Sequence, residues 1–279
     1  MSELNKRLIS ASLLITIFSF LIYDASYIGI AAADLVFVII LWEFLFLIEH
    51  KKNRIIFVCV FAFLSLIIPV VLSQSITFLN YGYNSSIYLF SLYCISWCLI
   101  AIWLFRHDSL ELSDLGVSVL GSLILIPALH SLFIVLSSPL YVLIIVATVA
   151  IADTSAYFGG KLLGKTKILP KISPGKTLEG LVSALLATPL IVSTIAYIYG
   201  LNFLEFIFFG MIVTLISFVG DISFSLLKRN RGMKQSSNLI PGHGGFIDLL
   251  DGVIAVLPFY SFSALLVSYS GFDFGWVLK

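Results

Sequence analysis

Charged side chains fall in a few short clusters along this chain, and between the clusters run apolar stretches of about twenty residues, the length that crosses a bilayer as a helix. A soluble domain carries roughly a quarter charged residues to cover its surface. Here 60% of the 279 residues are hydrophobic and 11% are charged. A water-soluble globule is excluded, and the expected fold is an all-α, polytopic integral membrane protein.

Apolar runs near 8–23, 27–49, 54–73, 86–105, 115–136, 139–160, 178–199, 203–227 and 248–270 predict about nine transmembrane helices, with eight as the alternative count. Placing the N-terminus in the cytoplasm puts fifteen of the 16 Lys and Arg residues on that side and leaves Lys279 outside. Such a bias favours nine spans over eight. Lys6 and Arg7 before the first run resemble the start of a secretory leader. The next apolar run follows too closely for a convincing cleavage region, so a retained first helix is expected. Cys59, Cys94 and Cys98 all lie in apolar stretches without His, Asp or Glu beside them, which suits packing and not a zinc site or disulfide framework.

The chain divides into N-terminal helices over 1–137 and a C-terminal region over 138–279, where two loops, 161–177 and 228–247, combine basic residues with Gly, Pro and Ser. Chemistry is expected there. Asp153 precedes the first loop inside an apolar run, where a carboxylate is costly and should face a polar cavity or a cation. Gly159, Gly160 and Gly164 then allow close backbone approach, and Lys161, Lys165, Lys167, Lys171 and Lys176 suit polyphosphate or anionic lipid, although lysines at a helix end also serve topology alone. Gly175-Lys176-Thr177 is not a Walker motif, because the required upstream glycine is Pro170. Ser173, Lys176 and Thr177 remain candidates to hold phosphate oxygens at a helix start.

In the second region Ser225, Lys228 and Arg229 fall within about one helical turn, with Asp221 about two turns deeper. Asp221 and Asp248 flank the loop, so the loop can bring both carboxylates together. Two carboxylates with phosphates suit Mg2+, whose preferred donors are a few protein oxygens, waters and substrate. His243, between Gly242 and Gly244, either binds phosphate or shapes the turn.

Ser225, Lys228, Arg229, Lys234, Pro241, His243, Gly244, Gly245, Asp248 and Asp251 resemble, in order and spacing, the signature of the phosphatidate cytidylyltransferase family. Upstream, Asp153, Ala156-Tyr157, Gly160-Lys161, Gly164 and Ser173-Pro-Gly-Lys176-Thr177 with Glu179-Gly180 are similar to the same family, so the match covers about 150–252. Trp42-Glu43 is a faint further likeness. Two departures stand out: Gln235 where an acidic residue is expected, and Leu249 where an arginine is expected.

The resemblance implies CTP and phosphatidic acid as substrates, joined to CDP-diacylglycerol with release of pyrophosphate at a site facing the cytoplasm from the cytoplasmic (inner) membrane. Asp221, Asp248, Lys228 and Arg229 are then the expected catalytic residues, with Mg2+ on Asp221 and Asp248 and a second, monovalent cation left open. Asp153, Ser173, Lys176, Thr177, Ser225, Lys234, His243, Gly244 and Gly245 are the expected substrate-binding residues. The phosphate monoester is itself the nucleophile, so no Ser-His pair is needed. Membrane lipids are partners, nucleic acid is not, and a homodimer is a family expectation. The rivals are transfer of the nucleotide to another lipid, an impaired relative, and an ion-coupled transporter built on Asp34, Glu43, Asp153 and Asp221.

Overall fold

The computed structural model describes residues 27–73, 83–106, 111–136, 139–241 and 244–270. The first expected span, near 8–23, and His243 lie outside the described residues. Eight helices follow in order: α1 Tyr27–Leu45, α2 Lys51–Ser73, α3 Tyr83–Arg106, α4 Asp114–Val135, α5 Pro139–Leu163, α6 Leu178–Ile198, α7 Phe203–Asn230 and α8 Phe246–Ser270. Six of them, α3 to α8, are long and apolar enough to cross a membrane.

Both faces of these helices are apolar, for different reasons. On α3, Leu89, Phe90, Tyr93, Trp97, Ile100 and Leu104 are buried, while Tyr88, Leu92, Ile95, Leu99 and Ile102 point outward. A large apolar side chain on the outside of the bundle is stable only if its surroundings are also apolar. Hydrophobic burial therefore does not order these helices as it would in water; packing shape and polar contacts do.

Helices α5, α6, α7 and α8 pack each against the next, and α8 also packs against α1, α3, α4 and α5. α8 is thus the central post of the bundle. Its neighbours approach closely where side chains are small. A Cβ on Gly220 of α7 would stand 2.6 Å from the Asp251 carbonyl oxygen of α8, and one on Gly252 would stand 3.1 Å from Ser217 Cβ. This crossing brings Asp221 and Asp251 together. At the other end of α5, Gly159 and Gly160 lie against Ser183, Thr177 and Gly180, so the close approach expected of this glycine run is made by α6.

Helix ends follow hydrogen bonding, not the last apolar residue. α5 continues to Leu163 and α7 to Asn230, through lysines and an arginine that the apolar runs stop short of. α7 ends in a Schellman motif: Gly232 has φ 65°, Met233 N donates to Lys228 O at 2.9 Å and Gly232 N to Arg229 O at 3.0 Å. α1 ends at Leu45, short of the expected 49. Its final turn tightens to i→i+3 bonds, and the carbonyls of Leu47 and Ile48 are taken by Arg231 and Arg54.

Candidate active site

Loop 164–177 is built as a closed strap between α5 and α6. Thr177 caps α6, with its hydroxyl accepting from Gly180 N at 3.2 Å, as expected of a threonine at that position. Glu179, in the first turn, reaches back to Lys165 N at 3.0 Å and Thr166 N at 3.1 Å. A short antiparallel pairing joins Lys167 to Thr177, with Leu178 N on Thr166 O at 2.9 Å. Leu169 and Ile172 turn inward and are buried. The strap presents Lys176 to the bundle.

Lys176 Nζ makes an ion pair with Asp221 Oδ2 and lies 5.7 Å from the centre of the Phe218 ring. Burial alone would lower its pKa, but the carboxylates of Asp221 and Asp153 outweigh that effect and hold Lys176 above the usual lysine value. The lysine is therefore a cation at neutral pH. Asp221 also accepts from Ser225 Oγ at 3.2 Å.

A second ion pair lies beside the first. Lys228 Nζ, buried at the end of α7, meets Asp248 Oδ1 at 2.5 Å. The other Asp248 oxygen accepts from Ser236 N at 2.8 Å and Gly245 N at 3.0 Å. Asp251, 8% exposed, interacts electrostatically with Asp221, Asp153, Lys228 and Lys176. Four carboxylates thus gather round two ammonium groups. The anionic donors here are all oxygens, the type of donor that a hard divalent cation such as Mg2+ takes.

A cavity of about 330 Å3 adjoins this cluster, walled by Asp153, Ala156, Tyr157, Gly160 and Lys161 of α5, Ser173, Gly175, Lys176 and Thr177 of the strap, Gly180 and Leu181 of α6, and Phe218 of α7. Asp153, Ser173, Lys176 and Thr177, singled out in the sequence, come together here. Asp221, Asp248, Lys228 and Ser225 meet in the adjoining ion-pair cluster. Arg229 is placed otherwise: its Nε donates to Ile172 O at 3.2 Å, fastening the strap to α7. Lys234 is exposed on the second loop.

The glycines of that loop have separate reasons. Ile240 and Gly244 pair across a tight turn, and Gly244 has φ 112°, a conformation that L side chains avoid. A Cβ there would also stand 2.5 Å from Asp248 Oδ2. A Cβ on Gly245 would collide with Ser236 Oγ and both carboxylate oxygens of Glu43. Gln235 packs against Gly244, and Leu249 packs against the apolar core, so both departures from the family pattern are accommodated without a buried unpaired group.

Sequence reasoning passed over several residues that build the site. Glu43 is fully buried beneath the second loop, and its only signals were a carboxylate in an apolar run and the faint Trp42-Glu43 likeness. Asp251 was visible as part of a motif but without a role. Glu179 was part of the upstream likeness but without a role, and Arg231 and Asp114 act on backbone and loop ends, which no spacing rule reveals.

A family model described as the cytidylyltransferase family matches residues 5–267. The chain is 41% identical over 140 residues to a phosphatidate cytidylyltransferase of Haemophilus influenzae, covering 48% of this chain and 46% of that one. It is 40% identical over 148 residues to a phosphatidate cytidylyltransferase of Pseudomonas aeruginosa, covering 51% and 55% respectively. An uncharacterized Escherichia coli protein, YnbB, is 39% identical over 123 residues, covering 43% and 41%. The chain spans about half the length of the curated relatives it matches.

Proposed function

Because this chain belongs to the cytidylyltransferase family, we propose that it transfers the cytidylyl group of CTP to phosphatidic acid, giving CDP-diacylglycerol and pyrophosphate, as the names of its Haemophilus and Pseudomonas relatives suggest. What carries this reading is the meeting of Lys176 and Lys228 with Asp153, Asp221, Asp248 and Asp251 beside a cavity of about 330 Å3. Cations already held in place by ion pairs can neutralise phosphate charge without reorganising during reaction.

In the reaction, a phosphate oxygen of phosphatidic acid forms a bond to the α-phosphorus of CTP, and the bond from that phosphorus to the α,β-bridging oxygen breaks. The electron pair leaves with pyrophosphate. The attacking phosphate has a second pKa near 6 by analogy with phosphorylated side chains and arrives largely deprotonated, so the protein's task is positioning and charge neutralisation. Lys176, with Ser173 and Thr177 on the same cavity wall, binds phosphate oxygens. Lys228, held against Asp248, faces the charge that develops on the leaving group, and Arg229 orients the strap through Ile172. Asp221 and Asp248 would hold Mg2+, which when bound polarises phosphoryl oxygens.

Nine spans, a cytoplasmic N-terminus, residence in the cytoplasmic membrane with the site facing the cytoplasm, and a homodimeric state belong to this proposal. Support for the orientation comes from the distribution of basic residues. An ion-path reading is disfavoured because Asp34 and Asp153 both stand exposed, Asp221 is paired with Lys176, and Glu43 is taken up by the second loop and the start of α8.

The test is incubation of the purified full chain in detergent with labelled CTP, phosphatidic acid and Mg2+. Equal amounts of CDP-diacylglycerol and pyrophosphate are expected, both lost in Asp221→Asn. Well-folded protein that makes neither, with other phospholipid acceptors also supplied, would point to an impaired relative in which Gln235 and Leu249 have ended turnover.

A further inference from the structure

Loop 231–245 is fastened at both ends to the end of α1, a helix far away in the chain. At its start, Arg231 Nε donates to Leu47 O at 2.7 Å, and its guanidinium meets Glu49 at 3.0 Å and Asp114 at 2.7 Å. At its far end the Glu43 carboxylate, 0% exposed, accepts four hydrogen bonds. They come from Ser236 Oγ at 2.9 Å, Ser237 Oγ at 2.6 Å, Phe246 N at 2.9 Å and Ile247 N at 2.9 Å.

Phe246 and Ile247 are the first two residues of α8. Their amides have no partner within the helix and would otherwise be costly to bury. A carboxylate is the complement of a helix N-terminus, which carries partial positive charge, and here it is supplied by another helix. Gly245 completes the fit, since any side chain there would displace Glu43.

Ser236 connects this anchor to the ion-pair cluster. Its amide donates to Asp248 Oδ2 at 2.8 Å, and its hydroxyl stands 2.9 Å from Glu43 and 3.1 Å from the same Asp248 oxygen. One hydroxyl proton serves one acceptor at a time. The remaining contacts of Glu43 therefore fix where Ser236 sits, and Ser236 fixes where Asp248 points.

We propose that Glu43 is a positioning residue for cytidylyl transfer: from the N-terminal half it anchors loop 231–245 and the start of α8, so that Asp248 is held facing Lys228. This inference rests on the function proposed above and assigns the N-terminal helices a part in it. Glu43 touches neither lysine and carries no step of the reaction. Replacing it by Gln puts an amide donor among four donors, whereas Asp keeps the carboxylate on a shorter stem.

The experiment compares wild type with Glu43→Gln, Glu43→Asp and Ser237→Ala as full-length proteins in detergent, measuring kcat, the half-saturating Mg2+ concentration and amide hydrogen exchange. Glu43→Gln should lower kcat about tenfold to hundredfold, raise half-saturating Mg2+ several-fold, and speed exchange over 232–247 while leaving 164–177 unchanged. Glu43→Asp should recover part of each. A folded Glu43→Gln protein with wild-type exchange over 232–247 and wild-type Mg2+ dependence would overturn the assignment, even if its kcat fell. If Glu43→Gln does not fold, faster exchange over 232–247 in Glu43→Asp and Ser237→Ala supports the anchor, and wild-type exchange in both removes it. Should the wild type make no CDP-diacylglycerol, the functional reading fails, while the exchange comparison still decides whether Glu43 holds the loop.

Discussion

Loop 164–177 is closed by residues 13 or 14 positions apart, with Glu179 on the amides of Lys165 and Thr166. Loop 231–245, besides its local bonds to Asp248, is held by partners 117 to 194 positions away, on and just past α1 and at the start of α4. The first strap is closed mainly within α5, α6 and the turn between them, with Arg229 and Asp221 of α7 as its outside contacts. The second exists only where α1 has come to rest against α8. Closing a long loop costs entropy before its contacts return any stabilisation, so the second loop is the more dependent of the two on the whole fold. It also carries the amides that orient Asp248.

The largest effect should come where the two regions meet. Asp221→Asn removes the partner of Lys176 and is expected to lower turnover about a thousandfold, with helical content and thermal unfolding close to wild type. Residual activity near the wild-type level would separate the strap from the chemistry and dissolve the comparison. Next, Arg231→Ala should destabilise by about 2 kcal/mol, since it takes the guanidinium from the buried carboxylate of Asp114, which keeps its contacts with Glu49 N, His50 and Asn53. Thermal unfolding in detergent reads the loss, and limited proteolysis should cut within 231–245 first; equal cutting at 164–177 would show that the two loops are not independently held.

A smaller and local effect is expected of Glu179→Ala. The amides of Lys165 and Thr166 should exchange faster and turnover should fall about tenfold, while exchange over 231–245 stays as it was. The smallest effect concerns pH. Lys176 is held above its usual pKa, and a raised lysine stays charged at every pH below that value. Between pH 7 and 9 its charge is therefore constant, and no activity should be lost through it. A decline with a midpoint in that window that disappears in Lys176→Arg would contradict the pairing with Asp221.

Much of the framework was legible because membrane helices announce themselves by length and apolarity alone. α6, read as 178–199, ends at Ile198, and α8, read from 248, begins at Phe246. Where the reading overshot, at the end of α1, two arginines, Arg231 and Arg54, take the carbonyls of Leu47 and Ile48 just past the helix. The site was legible to the extent that its residues lie in compact motifs: Ser173 to Thr177, Ser225 to Arg229 and Gly244 to Asp251 are each a few residues long. Glu43 was not, because its role depends on a partner 193 to 204 positions distant, and a single carboxylate in an apolar run has many explanations. The expected pairing of Asp221 with Asp248 came out as two adjacent ion pairs, each carboxylate with its own lysine.

Tyr157 lines the cavity and is 60% exposed on the outer side of α5, next to Phe158 at 55% and Leu162 at 77%. The cavity mouth is therefore edged by side chains that belong among acyl chains, and on the function proposed above the lipid substrate would reach it by sliding within the leaflet. For such a substrate the concentration that matters is counted per unit area of bilayer. On the function proposed above, diluting phosphatidic acid with an inert lipid or detergent should slow encounter even when the amount in the tube is unchanged, whereas CTP, arriving from water, should obey ordinary volume concentration.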